Sequence, residues 1–385
     1  MAKSTAAAAV MPPSTRPLNF LVGAIFIVLT AASAWLVRIE PALNDVPVDF
    51  QQRVDAARLE DGTPLKTAYT GVPGLDYVLS FLVVAFASGP LRLDDGFKLL
   101  QIHFLVNFSS VVFIWNVEAC RKRNARRVIR FTMLWALAYQ ILGGAPIVAL
   151  YYFVFVRSSG KGDYLASGRE VHPCFAKAIL PSVVLVYCVP TIAMYLPWAN
   201  ADLTQNLIAF WQAAPPLVNV SMWILSLVLG PSSSSSGRRP TPSTGADLKH
   251  LNRIYLAAFA ISAAAHVGTA YVCLASADPR LSLGYVFLPS RDRWMASTTS
   301  GLHWIFQWDA WFIFASSLAS CWVAVWDVQR GLGGSGLAGP VTALVVIGLG
   351  AVVVGPGAAM AAVWHWREKK MVLIEQRFRG KPKTG

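Results

Sequence analysis

Nine long apolar runs, separated by shorter polar stretches, set the pattern of this 385-residue chain. They lie at 17–37, 72–91, 99–117, 131–156, 174–198, 207–230, 254–277, 301–326 and 337–364. About 20 largely apolar residues carry a helix across the hydrocarbon of a bilayer, and most of these runs reach that length. Only helices and closed barrels satisfy the backbone inside lipid. Runs that are continuous rather than alternating select helices. The predicted fold is therefore all-α, a polytopic helical transmembrane protein of about nine membrane-spanning helices. The count falls to eight if run 72–91, which is short and holds Asp76 and Gly89-Pro90, is re-entrant.

The polar stretches divide the chain further. A small, polar segment at 1–16 precedes a first six-helix group over 17–230, whose first run reads as a retained signal anchor. The stretch 231–249, opening with PSSSSSGRRPTPSTG, reads as a flexible linker. A three-helix group follows at 250–366, then a basic tail at 367–385. The last run is rich in glycine and alanine, which suits close helix packing, and Pro356 is expected to kink it.

Composition agrees with a membrane protein. Apolar residues make up 55% and charged residues only 14%, against roughly 25% charge in a soluble domain. Mean hydropathy is +0.49. The net charge of +13 could suggest nucleic acid, but the basic residues cluster at the ends of apolar runs, most densely from Arg121 to Arg130. That placement points to membrane lipids, as anchors beside anionic headgroups, and away from nucleic acid. Counted over the loops, their bias favours an outside N-terminus and a cytoplasmic C-terminus. The five cysteines form no CxxC pair and the six histidines no HExxH, so neither a metal nor a cofactor is expected.

The candidate chemistry lies in polar side chains inside the apolar runs. Asp309 stands in GLHWIFQWDAWFIF beside Trp304, Trp308 and Trp311, with His303 six residues earlier. A carboxylate at that depth must face protein or a wet cavity. Desolvation there favours the protonated acid that a proton donor needs; the alternative is a structural carboxyl satisfied by a neighbouring helix. Glu118 closes run 99–117 and shares a helix face with Asn107, three turns earlier; beside the basic cluster it reads equally as an ion pair. Asp76 opens its run, where a helix N-terminus alone would favour it. His266 and His103 are further embedded titratable groups, each readable as a hydrogen-bonding core histidine. Trp115, Trp135, Trp304, Trp308 and Trp311 are candidate walls for a cavity that stabilises a cation through ring quadrupoles, or simply packing residues. The pair Asp94-Asp95 is followed by Lys98, and so lacks the aspartate-rich DDxxD pattern that binds magnesium diphosphates.

With the acids in FIWNVEACRKRN and HWIFQWDAWFIF in view, the chain resembles fungal integral-membrane terpene cyclases of meroterpenoid biosynthesis, of the ascofuranone, ascochlorin or macrophorin type. The likeness covers the multi-helix layout and the polar, tryptophan-rich interior over roughly 70–330. It implies acid-initiated, metal-independent cyclisation of a farnesyl or epoxyfarnesyl chain attached to an aromatic core. By that resemblance Asp309 and Glu118, with Asp76, are the expected acids. Asn107, His103, His266, His303, Trp115, Trp304, Trp308 and Trp311 are the expected substrate contacts. The resemblance also implies a lipophilic prenylated small-molecule substrate, neighbouring pathway enzymes and the endoplasmic reticulum membrane. Two other readings stand beside it: a proton- or cation-coupled transporter, which the lack of a visible internal repeat weakens, and a noncatalytic membrane scaffold.

Overall fold

A computed structural model describes residues 15–161, 164–229, 245–334 and 338–379. The expected N-terminal segment and linker fall almost wholly outside these residues, as does the end of the basic tail. The described chain is helical, with two isolated β-bridges, Arg58 to Pro64 and Arg121 to Val171.

In chain order the helices are α1 (Asn19–Ala34), α2 (Glu40–Leu43), α3 (Phe50–Asp55), α4 (Pro73–Ala87), α5 (Asp95–Ala119), α6 (Thr132–Leu142) and α7 (Gly144–Ser159). They continue with α8 (Pro173–Val183), α9 (Val189–Ala193), α10 (Ala201–Val228), α11 (Leu248–Ala275), α12 (Leu283–Phe287), α13 (Thr298–Gly331), α14 (Ala338–Val354) and α15 (Pro356–Arg379). A π-helical turn at Trp35–Ile39 joins α1 to α2, and another at Val184–Cys188 joins α8 to α9.

Six of the resulting helices are long and apolar enough to cross a membrane: Asn19–Leu43, α5, Pro173–Ala193, α10, α11 and α13. The other expected runs, 72–91, 131–156 and 337–364, take a different form, and the contacts at their ends show how. Run 131–156 breaks at Gly143 into α6 and α7. α7 returns alongside α1, so that Gly160 lies against Asn19 and Arg16 bonds to the Val156 carbonyl at 3.0 Å. Run 337–364 breaks at Gly355 in the same manner. Its first limb starts beside Gln329; its second ends with Ile374 against Gly331. Both hairpins thus enter and leave at one end of the bundle. Helix α4 stays at the other end: Asp76 bonds the loop at Thr70, and Ser88 lies 3.1 Å from Thr299 at the start of α13.

The expected topology changes accordingly. Arg16 forms an ion pair with Asp327 near the end of α13, and Arg367 forms one with Glu118 at the end of α5. The described first and last residues therefore share one end, called here the basic end, rather than lying on opposite faces. Arg121 and Arg367, counted from sequence as headgroup anchors, are 1% and 2% exposed and lie inside the protein.

A chain that turns back inside lipid leaves the last carbonyls of one helix and the first N–H groups of the next without partners. Both hairpin tips meet this by the same device. At the α6–α7 tip, Arg38 Nε donates to the Leu142 carbonyl (3.2 Å) and the Ala145 N–H donates to Asp309 Oδ1 (2.6 Å). At the α14–α15 tip, His266 Nε2 donates to the Val352 carbonyl (3.0 Å) and the Gly357 N–H donates to Asn107 Oδ1 (3.1 Å). Glycine is required at both turns, since Gly143 has φ 111° and Gly355 φ 95°. Helices on either side of residues 231–249 share one core, with Ser110 of α5 2.9 Å from Ser262 of α11.

Candidate active site

The α6–α7 tip closes one wall of a cavity of about 220 Å³ inside the bundle. Helix α13 gives it Leu302, Ile305, Phe306, Asp309 and Ile313, and α5 gives Phe104, Leu105 and Phe108. Phe81, Leu82, Ala85 and Phe86 come from α4, Trp211 and Gln212 from α10, and Tyr139 and Gln140 from α6. Arg38 reaches it from the π-helical turn, where the widened backbone shifts the side-chain register.

The cavity is two-sided in character. Its hydrocarbon side is aromatic: Phe86 meets Phe306 edge-on at 5.0 Å and tilts against Trp211 at 5.2 Å. Its polar side holds Asp309, Arg38, Gln140 and Gln212. Gln140 Nε2 donates to the Gln212 main-chain carbonyl at 2.8 Å and to its side-chain carbonyl oxygen at 3.2 Å, which links the two amides. Asp309 Oδ1 is engaged by Ala145, and among the described residues Oδ2 has no hydrogen-bond donor. A Cβ built on Gly144 would stand 2.8 Å from Oδ2, and one on Gly143 2.8 Å from Arg38 Nε. The two glycines make the room that lets an acid and a guanidinium approach the same turn.

Glu118 lies elsewhere. Phe97 packs on His303 and Phe306, and Phe104 on Phe306 and Phe314, so α5 and α13 run in the same direction. Asp309 is level with Phe104, and Glu118 is 14 residues further on, roughly 20 Å along the helix at 1.5 Å per residue. There its Oε1 accepts from Arg121 (2.8 Å), Arg367 (2.7 Å) and Trp364 (3.2 Å). Arg121 also donates to Glu368 and to the Tyr255 hydroxyl, and Arg169 bridges Glu368 and Asp247. This buried cluster closes the basic end. Burial alone would raise the Glu368 pKa, but Arg121 and then Arg169 outweigh it and hold the carboxyl below the ordinary glutamate range.

The other expected site residues also separate. Asp76 accepts from the Tyr69, Thr70 and Gly71 N–H groups and from the Thr70 hydroxyl, clasping the loop before α4. Asn107 and His266 hold the second hairpin tip. The Val352 carbonyl can only accept, so His266 carries its proton on Nε2; its Nδ1 then accepts from His103 Nε2 at 3.0 Å. His303 bonds the Val286 carbonyl at 3.2 Å and stacks on Phe97. Trp115 stacks on Tyr151 at 3.6 Å. Trp304 packs with Trp294 and Val46, and Trp308 packs beside Trp304 and Phe312.

Trp311 donates to the Phe287 carbonyl at 2.8 Å and borders a second cavity of about 610 Å³, together with His103, His266 and Gln307. Its remaining walls are apolar, and Leu274 and Leu288 are exposed at its edge. It has room for a hydrocarbon chain but no acid. Among the described residues, no group of three or more His, Cys, Asp or Glu side chains is placed to hold a metal ion.

Of the residues that line this chamber, the sequence pattern singles out Asp309 alone. Arg38 stands just beyond the first apolar run, and Gly143-Gly144 lies inside run 131–156, where ILGGAPIV carries a visible break signal.

The chamber thus sets a buried acid against aromatic walls among long apolar helices. The CtvD domain model matches residues 25–373, and the chain belongs to the CtvD domain family. It is 26% identical to the terpene cyclase ascI of Acremonium egyptiacum over 73% of this chain and 74% of that protein. It is 25% identical to the terpene cyclase DEP1 of Alternaria brassicicola over 90% of this chain and 98% of that protein. The terpene cyclase ctvD of Aspergillus terreus is 29% identical over 42% of this chain and 46% of its own length. The resemblance to fungal membrane terpene cyclases thus holds at the level of the family. No solved structure matches the chain.

Proposed function

We propose that the protein is a membrane terpene cyclase that closes rings on a farnesyl or epoxyfarnesyl chain of a meroterpenoid precursor, with Asp309 as the initiating acid and no metal in the step. The observation that carries this reading is the position of Asp309: one oxygen is anchored on the start of α7, and the other faces a chamber walled by aromatic rings. A carboxylic acid fits that pattern, its carbonyl oxygen accepting from Ala145 and its O–H directed at the ligand.

Proton transfer to an epoxide oxygen breaks the adjacent C–O bond, and the electron pair of the neighbouring alkene forms the new C–C bond. The resulting tertiary cation lies against Phe86, Phe306 and Trp211, whose ring faces attract positive charge. Loss of a proton to the Asp309 carboxylate closes the cycle, so the net reaction is an isomerisation. Exclusion of water by the aromatic wall protects the cation from hydration. Arg38 beside the acid stabilises the carboxylate left after donation. Glu118, locked among arginines, and Asp76, locked on a loop, serve the fold in this reading. The resemblance further suggests the endoplasmic reticulum as the membrane and other enzymes of the same route as neighbours.

The test is product analysis on membranes holding the protein, supplied with an epoxyfarnesyl-phenol. Wild type should yield a cyclised isomer of unchanged mass. Asp309→Asn, which keeps the bond from Ala145, should lose at least about 100-fold in rate. Undiminished cyclisation by that variant would reject the assignment, and proton-coupled uptake without product would favour a transporter.

A further inference from the structure

The geometry points to a second ligand site: the cavity of about 610 Å³ beside the α14–α15 tip takes a membrane sterol, held by its lone hydroxyl. The site is independent of the cyclase reading. It shares no lining residue with the α6–α7 chamber. Gln307, Phe314 and Leu318 occupy the face of α13 opposite to Leu302, Asp309 and Ile313. Its volume falls within the roughly 300–1,000 Å³ that encloses a drug-sized molecule. Leu274, Leu288 and Val352 at its edge are exposed, so it opens sideways from the flank of two long apolar helices, α11 and α13.

Four polar side chains border the cavity, His103, His266, Gln307 and Trp311, and every side-chain N–H among them is spent on the protein. Helix α12 ends with carbonyls that its own turn leaves unpaired. Gln307 Nε2 donates to those of Tyr285 and Val286 at 2.9 and 3.1 Å, and Trp311 Nε1 to that of Phe287 at 2.8 Å. His266 gives its proton to the Val352 carbonyl, and His103 gives its own to His266. Carbonyls only accept, so the Gln307 amide cannot be turned round, and its Oε1 is left over. Neither Oε1 nor His103 Nδ1 has a donor among the described residues, and the two side chains are 2% and 6% exposed. The cavity therefore offers acceptors without free side-chain donors or charge. A carboxylate or phosphate finds no partner there, whereas a neutral alcohol brings the hydrogen that the amide oxygen lacks.

The two ends of the cavity are ordered as in a sterol lying in a bilayer. Gln307 sits beside α12 near the start of α13, and Leu318 is eleven residues further in, roughly 16 Å along the helix at 1.5 Å per residue. Ala270, Gly284, Ala310, Ala315 and Ala351 leave flat stretches of wall. A fused-ring skeleton covers these without the rotor entropy that a flexible chain loses on binding.

Photolabelling of the full chain in phosphatidylcholine nanodiscs, with a diazirine-bearing cholesterol as probe, tests the inference. Wild type should label saturably on peptides of α11 or α13 that line the cavity. Unlabelled cholesterol should compete at least about 10-fold better than cholesterol methyl ether, which keeps the skeleton and loses the donor. It should also outcompete cholesterol sulfate and farnesol. Gln307→Met should shrink the preference over the methyl ether to less than about threefold. That change also unties α12, so a second variant is needed. Ala315→Trp fills the cavity without removing a hydrogen bond and should abolish labelling while the protein still elutes as a single folded species. Labelling that never saturates, a methyl ether that competes as well as cholesterol, a preference unchanged in Gln307→Met, or labelling intact in Ala315→Trp overturns the inference. Farnesol competing as well as cholesterol overturns the sterol in favour of a linear alcohol. The readout needs no turnover, so failure to find a cyclised product would defeat the cyclase reading and leave this result standing.

Discussion

Replacing Glu118 by Gln tests whether the buried acid at the basic end belongs to the chemistry or to the fold. The carboxylate is 1% exposed and accepts charge-assisted bonds from Arg121 and Arg367 and a third bond from Trp364. Gln keeps the shape and one acceptor but leaves both guanidinium groups short of a counter-charge in a dry setting. Removing one partner of a buried ion pair costs about 3–5 kcal/mol. The retained amide acceptor and the neighbouring Glu368 place Glu118→Gln near the lower figure. Against a total stability of about 5–15 kcal/mol, that is a large loss. It should appear as a clear fall in the midpoint of thermal unfolding, followed by fluorescence-detected gel filtration of protein in detergent. Cyclisation per folded molecule should stay within about twofold of wild type. The double variant Glu118→Gln/Arg367→Gln should recover part of the loss, because it removes an uncompensated charge. A Glu118→Gln protein that melts like wild type yet makes no product would refute the reasoning and return Glu118 to the reaction.

Other outcomes follow from the same geometry. Asp309→Ala should lose about 1 kcal/mol more stability than Asp309→Asn, because only Asn keeps a side-chain acceptor for Ala145; equal melting of the two would show that the α7 cap is unimportant. Gly144→Ala would push a methyl to 2.8 Å from Asp309 Oδ2 and Ile313, at a cost of about 1–3 kcal/mol, with activity falling even in the folded fraction. Gly355→Ala combines the left-handed φ of 95° with a Cβ 2.6 Å from His266; limited proteolysis should then cut near the α14–α15 turn. The pH dependence has a defined sign. Glu368 is held below the ordinary glutamate range once folded, burial being outweighed by Arg121 and Arg169. Its stabilising contribution is therefore complete above the unfolded value of about 4.3 and fades as pH falls through the lower folded value. Acid unfolding followed by gel filtration should begin in that window, and Glu368→Gln, already destabilised at neutral pH, should show a flatter acid limb.

Much of the scaffold was legible because lipid imposes one rule, long apolar helices, and six runs obey it. The hairpins were not, because hydropathy adds up residues without asking whether the chain turns; only Gly143-Gly144 and Gly355-Pro356 mark the breaks. Asp309 stood out as an acid in an apolar run. Its neighbours were misread by distance along the chain instead of angle around it. At 100° per residue, Trp304 and Trp311 fall about 140° and 160° from Asp309, whereas Leu302, Ile305, Phe306 and Ile313 fall within about 60° and are the ones that line the chamber. The role of Glu118 depends on Trp364 and Arg367, residues 246 and 249 positions away, which no local pattern reveals.

The paired turns carry a consequence for how the chain is assembled. A limb too short to cross the bilayer, as α6, α7 and α14 are at 11, 16 and 17 residues, is not held there by its own greasiness alone. Each hairpin must wait for the full-length helices that offer it a polar handhold. For α14 and α15 those handholds, Asn107 and His266, are made long before the hairpin itself leaves the ribosome. The α6–α7 tip is different: it reaches Arg38 early but must await Asp309, some 160 residues downstream. The chamber is thus left unfinished until α13 has been threaded in, and a nascent chain arrested before that point would hold its other walls without Asp309.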